Sequence, residues 1–407
     1  MPSVIDGLSD GMLSKSGRNI LKVKDRVSIT IDSVAFGGAG VGRVDQQVVF
    51  VPFSAPDDAL EIEITQIKKK FARGRILKII KPSPARVTPL CRHYEVCGGC
   101  CYQHLDYPFQ LKIKKKQVEE AFWKIGKMAS PPVDDVIASP RSYHYRGKAQ
   151  FHAQILNSNK KIGFLDVTGG RLAHINRCEI MEESINEALR LLQADKMRID
   201  DEPELTIWSG HSSSDTDEEK PVLRVVNGKN FLIPSDGFFQ ANLYLTDQLV
   251  DEVCRLVSVD PVHTLIDACC GSGLFSIFLA SVAGKVIGIE INENSVRYAR
   301  INAAAAGVDN VSFIHGDMEK VLWQKLMPGQ QADLVVLDPP RSGCSPTVLQ
   351  AIVELQPMKI IYISCNPATQ ARDVHYLNGC GYHLKRLIPL DMFPQTEHIE
   401  VVGLIER

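Results

Sequence analysis

Residues 262–280 read VHTLIDACCGSGLFSIFLA. An apolar run leads into two glycines spaced by one residue, Gly271 and Gly273, and a second apolar run follows. A buried strand, a tight glycine turn and the start of a helix account for that order. The rhythm continues downstream. KVIGIEIN (285–292) reads as a strand, ENSVRYARINAAAAG (293–307) as a helix and VSFIHGD (311–317) as a strand, followed by ADLVVLDPP (332–340), KIIYISCNP (359–367) and a last pair, HLKRLIPLDMFP (383–394) and HIEVVGLIE (398–406). Strands alternating with helices predict a parallel sheet wound on both faces, an α/β Rossmann-like domain over 236–407. In such sheets ligands bind at the carboxyl edge.

The 407 residues are too many for one ordinary domain. Residues 1–21 are polar and predict a mobile leader. Over 22–81 short bursts of alternating apolar and polar residues, with Gly37, Gly38, Gly40 and Gly42 as turns, predict an all-β barrel of the oligonucleotide-binding type. KPSPARVTP (81–89) reads as a linker, and 82–235 as an α+β central domain with an acidic loop near 209–220. No apolar run reaches the roughly 20 residues of a membrane helix. The N-terminus lacks the pattern of a secretory signal, so the expected setting is cytoplasmic, with no membrane partner and a monomeric chain. The net charge of −2 hides a basic segment, Lys68, Lys69, Lys70, Arg73, Arg75, Lys78 and Lys81, and a second at Lys112, Lys114, Lys115 and Lys116. Such a basic face suits nucleic acid, and a solvated surface accounts for the charges equally well.

The glycine turn alone serves nicotinamide dinucleotides, flavins and S-adenosylmethionine alike. Here it reads G-x-G-x-x-S, without the third glycine of the dinucleotide fingerprint. Glu290 ends the second strand, where a carboxylate can accept both ribose hydroxyls, and Asp317 ends the third, suited to an adenine amine. Acids ending successive strands predict one adenosyl ligand, S-adenosylmethionine, lying across the edge. Asp338 in LDPPRSGC is expected to face the same site. Arg341 stands where amine-directed methyltransferases carry a stacking aromatic, which argues against a nitrogen target.

Cys365 ends the next strand, in YISCNPATQARDV (362–374). A buried core thiol is the ordinary fate of a free cysteine. Methylation of carbon 5 of a pyrimidine, however, needs a thiolate at carbon 6 and a base to remove the carbon 5 proton. Glu397 and Glu400 both qualify as that base; alternation lets only one face the pocket.

Five motifs occur in order: C-x5-C-G-G-C-x2-Q-H (91–104), GFFQAN (237–242), DPPR (338–341), SCNPAT (364–369) and DMFPQTEHIE (391–400). Together they resemble the RNA uracil-5-methyltransferase family, from about residue 22 to the end, and in particular members acting on 23S ribosomal RNA that carry a TRAM barrel and a 4Fe-4S cluster. The resemblance implies Cys365 as nucleophile and Glu400 as base. It implies Gln240, Glu290, Asp317 and Asp338 as cofactor contacts, with Cys269 where the family usually has an aromatic residue beside the cofactor. Cys91, Cys97, Cys100 and Cys178 are implied as ligands of the 4Fe-4S cluster, with Cys101 spare; by residue type alone, zinc also fits. The implied substrate is RNA, ribosomal RNA first and the transfer RNA T-loop as the alternative, with the target base flipped out or single-stranded. Tyr145, Arg146 and Lys148 are candidates to stack on or pair with nucleotides, or are ordinary strand residues. A non-catalytic iron–sulfur RNA-binding protein and a nicotinamide oxidoreductase are the rivals from other classes.

Overall fold

The computed structural model describes residues 21–156, 159–194, 204–210, 220–257, 262–326 and 331–407. The expected leader, except Leu21, and the expected acidic loop over 211–219 lie outside the described residues. Two compact units are present, one reaching Val34 and resuming over Ala39–Pro84, the other formed by Ala35–Gly38 and Ala85–Arg407.

The first unit is a closed five-stranded barrel: β1 (Arg26–Val34), β2 (Gly40–Val44), β3 (Gln47–Val51), β4 (Ala59–Ile67) and β5 (Phe71–Lys81), in the order β1-β2-β3-β5-β4. Alternation decides which side chains fill it: Ile29 and Ile31, Val49 and Val51, and Leu60, Ile62 and Ile64 point inward. Leu21, expected in the leader, is buried with them. Gly42 crosses β1 so closely that a Cβ would sit 2.3 Å from the Thr30 carbonyl oxygen. Closure leaves no strand edge unpaired. The basic residues of β5 and of the turn before it are exposed on the outside.

In the second unit come α1 (Tyr107–Lys124), β6 (Lys148–Leu156), β7 (Asn159–Leu165), β8 (Leu172–His174), α2 (Glu183–Ala194), β9 (Glu204–Trp208), β10 (Val222–Val226) and β11 (Lys229–Ile233). Strands β8-β7-β6-β9 form an antiparallel sheet and β10-β11 a hairpin. There follow α3 (Thr246–Val257), β12 (Val262–Ala268), α4 (Leu274–Leu279), β13 (Ala283–Glu290), α5 (Glu293–Ala305), β14 (Val311–His315), α6 (Met318–Val321), β15 (Leu334–Leu337), α7 (Pro346–Glu354), β16 (Lys359–Ser364), α8 (Pro367–Gly379), β17 (His383–Leu390) and β18 (Glu400–Glu406).

The main sheet has seven strands in the order β14-β13-β12-β15-β16-β18-β17. Its strands are near-continuous apolar runs because both faces are covered. One face packs with α3, α4, α5 and the hairpin residues Val222, Val226, Phe231 and Ile233. The other packs with α7, α8 and the Val118 and Phe122 side chains of α1. Segments before residue 236 therefore enter this core directly. β18 runs antiparallel to both β16 and β17. β18 therefore starts at the carboxyl edge of the parallel strands, with Glu400 its first residue, and runs away from it.

Candidate active site

Five strands deliver polar groups to one edge. Asp267 is the last residue but one of β12, Glu290 ends β13, and Asp317, Asp338 and Cys365 lie just beyond β14, β15 and β16. In the turn after β12, Gly271 and Gly273 have φ of 54° and 87°, and Cys269, with a side chain, is held at 66°. That left-handed conformation is costly for a residue with a Cβ and marks a backbone fixed by its surroundings. The Gly271 N–H donates to Glu290 Oε2 at 2.9 Å and the Asn292 N–H to Glu290 Oε1 at 2.8 Å, which locks the turn to the end of β13.

The acids are crowded. Asp267 is fully buried; its Oδ2 accepts from Ser276 Oγ at 2.5 Å, while its Oδ1 has no hydrogen-bond partner. Burial pushes Asp267 up to about 6. Burial, then Asp267 and Glu290, push Asp338 up to about 7. Gln240 reaches the same group, its Nε2 lying 3.5 Å from Asp338 Oδ2. Burial, Glu290 and Asp338 also hold the Cys269 thiol well above its ordinary value. Buried carboxyls, one of them with an orphaned oxygen, favour a cation beside them once they ionise. Asp317 is engaged locally: its Oδ1 accepts from the Lys320 N–H at 3.1 Å and caps α6.

Cys365 and Glu400 face each other by register. Ser364 of β16 pairs with Val401 of β18, so the next residue outward on each strand is Cys365 and Glu400. Burial and then Glu400 push the Cys365 thiol up to about 11, against a lowering by Arg341. Burial and the neighbouring Asp338 raise Glu400 well above the usual carboxylate range, again opposed by Arg341. Glu397 lies outside β18, with its carboxylate toward Gly37 and Cys101. Arg341 Nη2 donates to His398 Nε2 at 3.1 Å. A guanidinium only donates, so this nitrogen accepts and the proton sits on Nδ1. Burial and three nearby cations, Arg341, Lys114 and Arg146, depress His398 to about 4 and keep it neutral. Arg341 and His398 are the site residues that sequence reasoning did not assign a role; both lie inside quoted motifs, and the contact between them spans 57 residues.

Cys91, Cys97, Cys100 and Cys178 line a single cavity of about 290 Å³, which also reaches Arg146 and His398. Burial raises all four thiols, and Cys178, Cys97 and Cys91 each add to the rise at Cys100. Among the described residues no three His, Cys, Asp or Glu side chains are gathered tightly enough for a single metal ion. Of the candidate nucleotide contacts, Tyr145 is buried and donates from its hydroxyl to the Pro394 carbonyl at 2.9 Å. Lys148 donates to the Gly237 carbonyl at 2.7 Å and covers the Trp208 ring. Lys148 opens β6, whereas Tyr145 lies before that strand, and the polar ends of both are taken up within the protein. Phe238, by contrast, beside Gln240, is 66% exposed.

The fold and edge define a class, the Rossmann-like methyltransferases. A family profile of the TRAM domain matches residues 21–77, and one described as tRNA (Uracil-5-)-methyltransferase matches residues 215–407. An uncharacterized RNA methyltransferase of Gloeobacter violaceus is 33% identical over 445 residues, covering 94% of this chain and 96% of its own. One of Fusobacterium nucleatum is 33% identical over 459 residues, covering 97% and 98%. The chain is also similar in fold to the crystal structure of the Pyrococcus abyssi tRNA (uracil-54, C5)-methyltransferase in complex with S-adenosyl-L-homocysteine, with a TM-score of 0.71 at 24% identity, covering 93% of this chain and 100% of that one. This chain belongs to the RNA uracil-5-methyltransferase family.

Proposed function

We propose that the enzyme methylates carbon 5 of one uridine in 23S ribosomal RNA through a covalent adduct between Cys365 and carbon 6. S-adenosylmethionine, bound by the turn at Cys269 and by Gln240, Glu290, Asp338 and Asp317, supplies an electrophilic methyl group on a sulfonium. The Cys365 thiolate adds to carbon 6 of the flipped base, the carbon 5–carbon 6 π pair makes carbon 5 nucleophilic, and carbon 5 takes the methyl group as its bond to the sulfonium breaks and S-adenosylhomocysteine leaves. Once carbon 5 carries the methyl, Glu400 takes its proton and the thiolate leaves. A carboxyl with a raised pKa is the stronger base for that step. Arg341 lies in the field of both groups and favours their ionised forms.

The observation that carries this reading is the register opposing Cys365 and Glu400 beside Asp338. The test is a pair of variants assayed with labelled methyl donor. Cys365→Ala should transfer no methyl to RNA. Glu400→Gln should form the methylated adduct and fail to release it, leaving a labelled protein–RNA band on a denaturing gel. Methyl transfer by Cys365→Ala at the wild-type rate would overturn the mechanism.

The four cavity cysteines fit a 4Fe-4S cluster, whose thiolates stand farther apart than those around one zinc ion. Cys91, Cys97, Cys100 and Cys178 would hold it, and it would cross-link the loop after the linker to the turn before α2.

A second reading, a transfer RNA T-loop uridine, is favoured by the name of the matching family and by the Pyrococcus abyssi relative. Mapping 5-methyluridine in ribosomal and transfer RNA from a deletion strain separates the two.

A further inference from the structure

The segment between β17 and β18, residues 391–399, leads directly into Glu400 and is pinned along its length by buried groups from earlier in the chain. Asn242 Nδ2 donates to the Met392 carbonyl at 3.3 Å. Gln110 exchanges two hydrogen bonds with Gln395, from its Nε2 to Oε1 and from the Gln395 N–H to its Oε1, both 3.0 Å. The strongest tie is Lys114 of α1. Its ammonium donates to Asp391 Oδ1 at 2.6 Å, to the His398 carbonyl at 2.8 Å and to the Phe393 carbonyl at 3.0 Å. Both side chains of the Lys114–Asp391 pair are fully buried.

An ammonium has three donors, and here one segment takes all three. The carbonyls gripped lie seven and two residues ahead of Glu400, and the carboxylate nine ahead. A buried ion pair is a poor device for stability, since an apolar replacement is often as stable or more so. It is a good device for fixing one geometry, because a charge without water has no other partner to turn to. A guanidinium in place of the ammonium is planar and cannot reach three acceptors arranged around a point.

We propose that Lys114 is a positioning residue for the base: it fixes the 391–399 segment so that Glu400 meets the carbon 5 proton. The inference rests on the reading of Glu400 as base and sharpens it. In the resolving step the carbon 5 proton passes to a Glu400 carboxylate oxygen. The electron pair of that C–H bond forms the carbon 5–carbon 6 double bond, and the Sγ–carbon 6 bond breaks to release the Cys365 thiolate. A displaced Glu400 stops this step and no earlier one, so the methylated adduct should accumulate.

The test uses the full-length enzyme with RNA substrate and labelled S-adenosylmethionine. Lys114→Met leaves Asp391 buried and unpaired, which endangers folding, so Lys114→Met with Asp391→Leu removes the whole pair and both carbonyl contacts while keeping the space apolar. Thermal melts identify which variants are folded. In a folded variant kcat should fall about a hundredfold, the loss typical of a misplaced catalytic group, and KM for RNA should fall with it, because the steps up to the methylated adduct keep their rates. A labelled covalent protein–RNA adduct should appear, as with Glu400→Gln. A folded pair variant with wild-type kcat, or one that loses activity without adduct while Glu400→Gln accumulates it, overturns the inference and leaves the base assignment standing. Absence of adduct from Glu400→Gln overturns the base assignment and the inference with it.

Discussion

At the scale of single residues, the surroundings of Cys365 hold it as a thiol. The Cys365 thiol is pushed up to about 11 by burial and by Glu400. At pH 8 its thiolate fraction is then about a hundredfold below that of a thiol at the ordinary 9.0. Iodoacetamide should therefore alkylate Cys365 slowly at pH 8, and the rate should keep rising to near pH 11, read by peptide mass spectrometry. Arg341→Ala removes the cation that holds the thiol down and should move that profile to still higher pH. A profile levelling off near pH 8 would mean that the thiolate is already formed. The two glutamates of the same motif separate equally clearly. Glu397→Gln, whose side chain faces Gly37 and Cys101, should retain the wild-type rate, while Glu400→Gln should lose turnover. His398 accepts a hydrogen bond from Arg341, so its lone pair is occupied.

At the scale of elements, what was legible in the chain is what rests on local pattern. Alternation gave the barrel strands and their inward residues, and apolar runs punctuated by glycine gave β12 to β16. The acids at the strand ends follow from those strands being parallel. What was not legible depends on contacts far apart in sequence. Lys114 sits in a run of lysines that reads as a solvated basic face, and nothing local marks it as the one turned inward to Asp391, 277 residues away. The hairpin of β10 and β11 joins the methyltransferase core because Phe231 and Ile233 pack there, a tertiary preference with no sequence boundary to announce it. Asp317 shows one residue fitting two accounts, a strand-end acid and a helix cap. The exposed basic side of the barrel carries a prediction of its own. Neutralising Lys68, Lys69 and Lys70 should lower the slope of RNA affinity against salt by about 0.7 for each phosphate these lysines neutralise in the wild type, as for single-stranded RNA. Because these residues lie in the other compact unit from Cys365, kcat at saturating RNA should stay unchanged. A filter-binding titration over a range of salt concentrations measures the slope, and an unaltered slope would remove this turn from the RNA-binding face.

At the scale of the whole molecule, the buried acids at the strand ends make stability depend on pH. Asp267 and Asp338 have folded-state values of about 6 and about 7, both above the unfolded carboxylate range, and Glu400 is raised as well. Raised values favour the protonated forms in the fold. Their contribution to stability is complete below about pH 4 and is lost as the pH climbs through 6 and 7. Above pH 7 the ligand-free cleft holds carboxylates with too little positive charge near them, and a bound cation answers that deficit. The rise in melting temperature given by saturating S-adenosylmethionine should thus be larger at pH 7.5 than at pH 5.5. S-adenosylhomocysteine keeps the ammonium group and lacks the sulfonium charge, so its stabilisation should depend less on pH. Asp338→Asn removes the carboxyl raised to about 7 and should flatten the dependence for both ligands. Thermal melts of wild type and Asp338→Asn at the two pH values, with each ligand and without, measure all of this in one experiment. Equal shifts at pH 5.5 and 7.5 for S-adenosylmethionine would show that its positive charge does not lie among these acids.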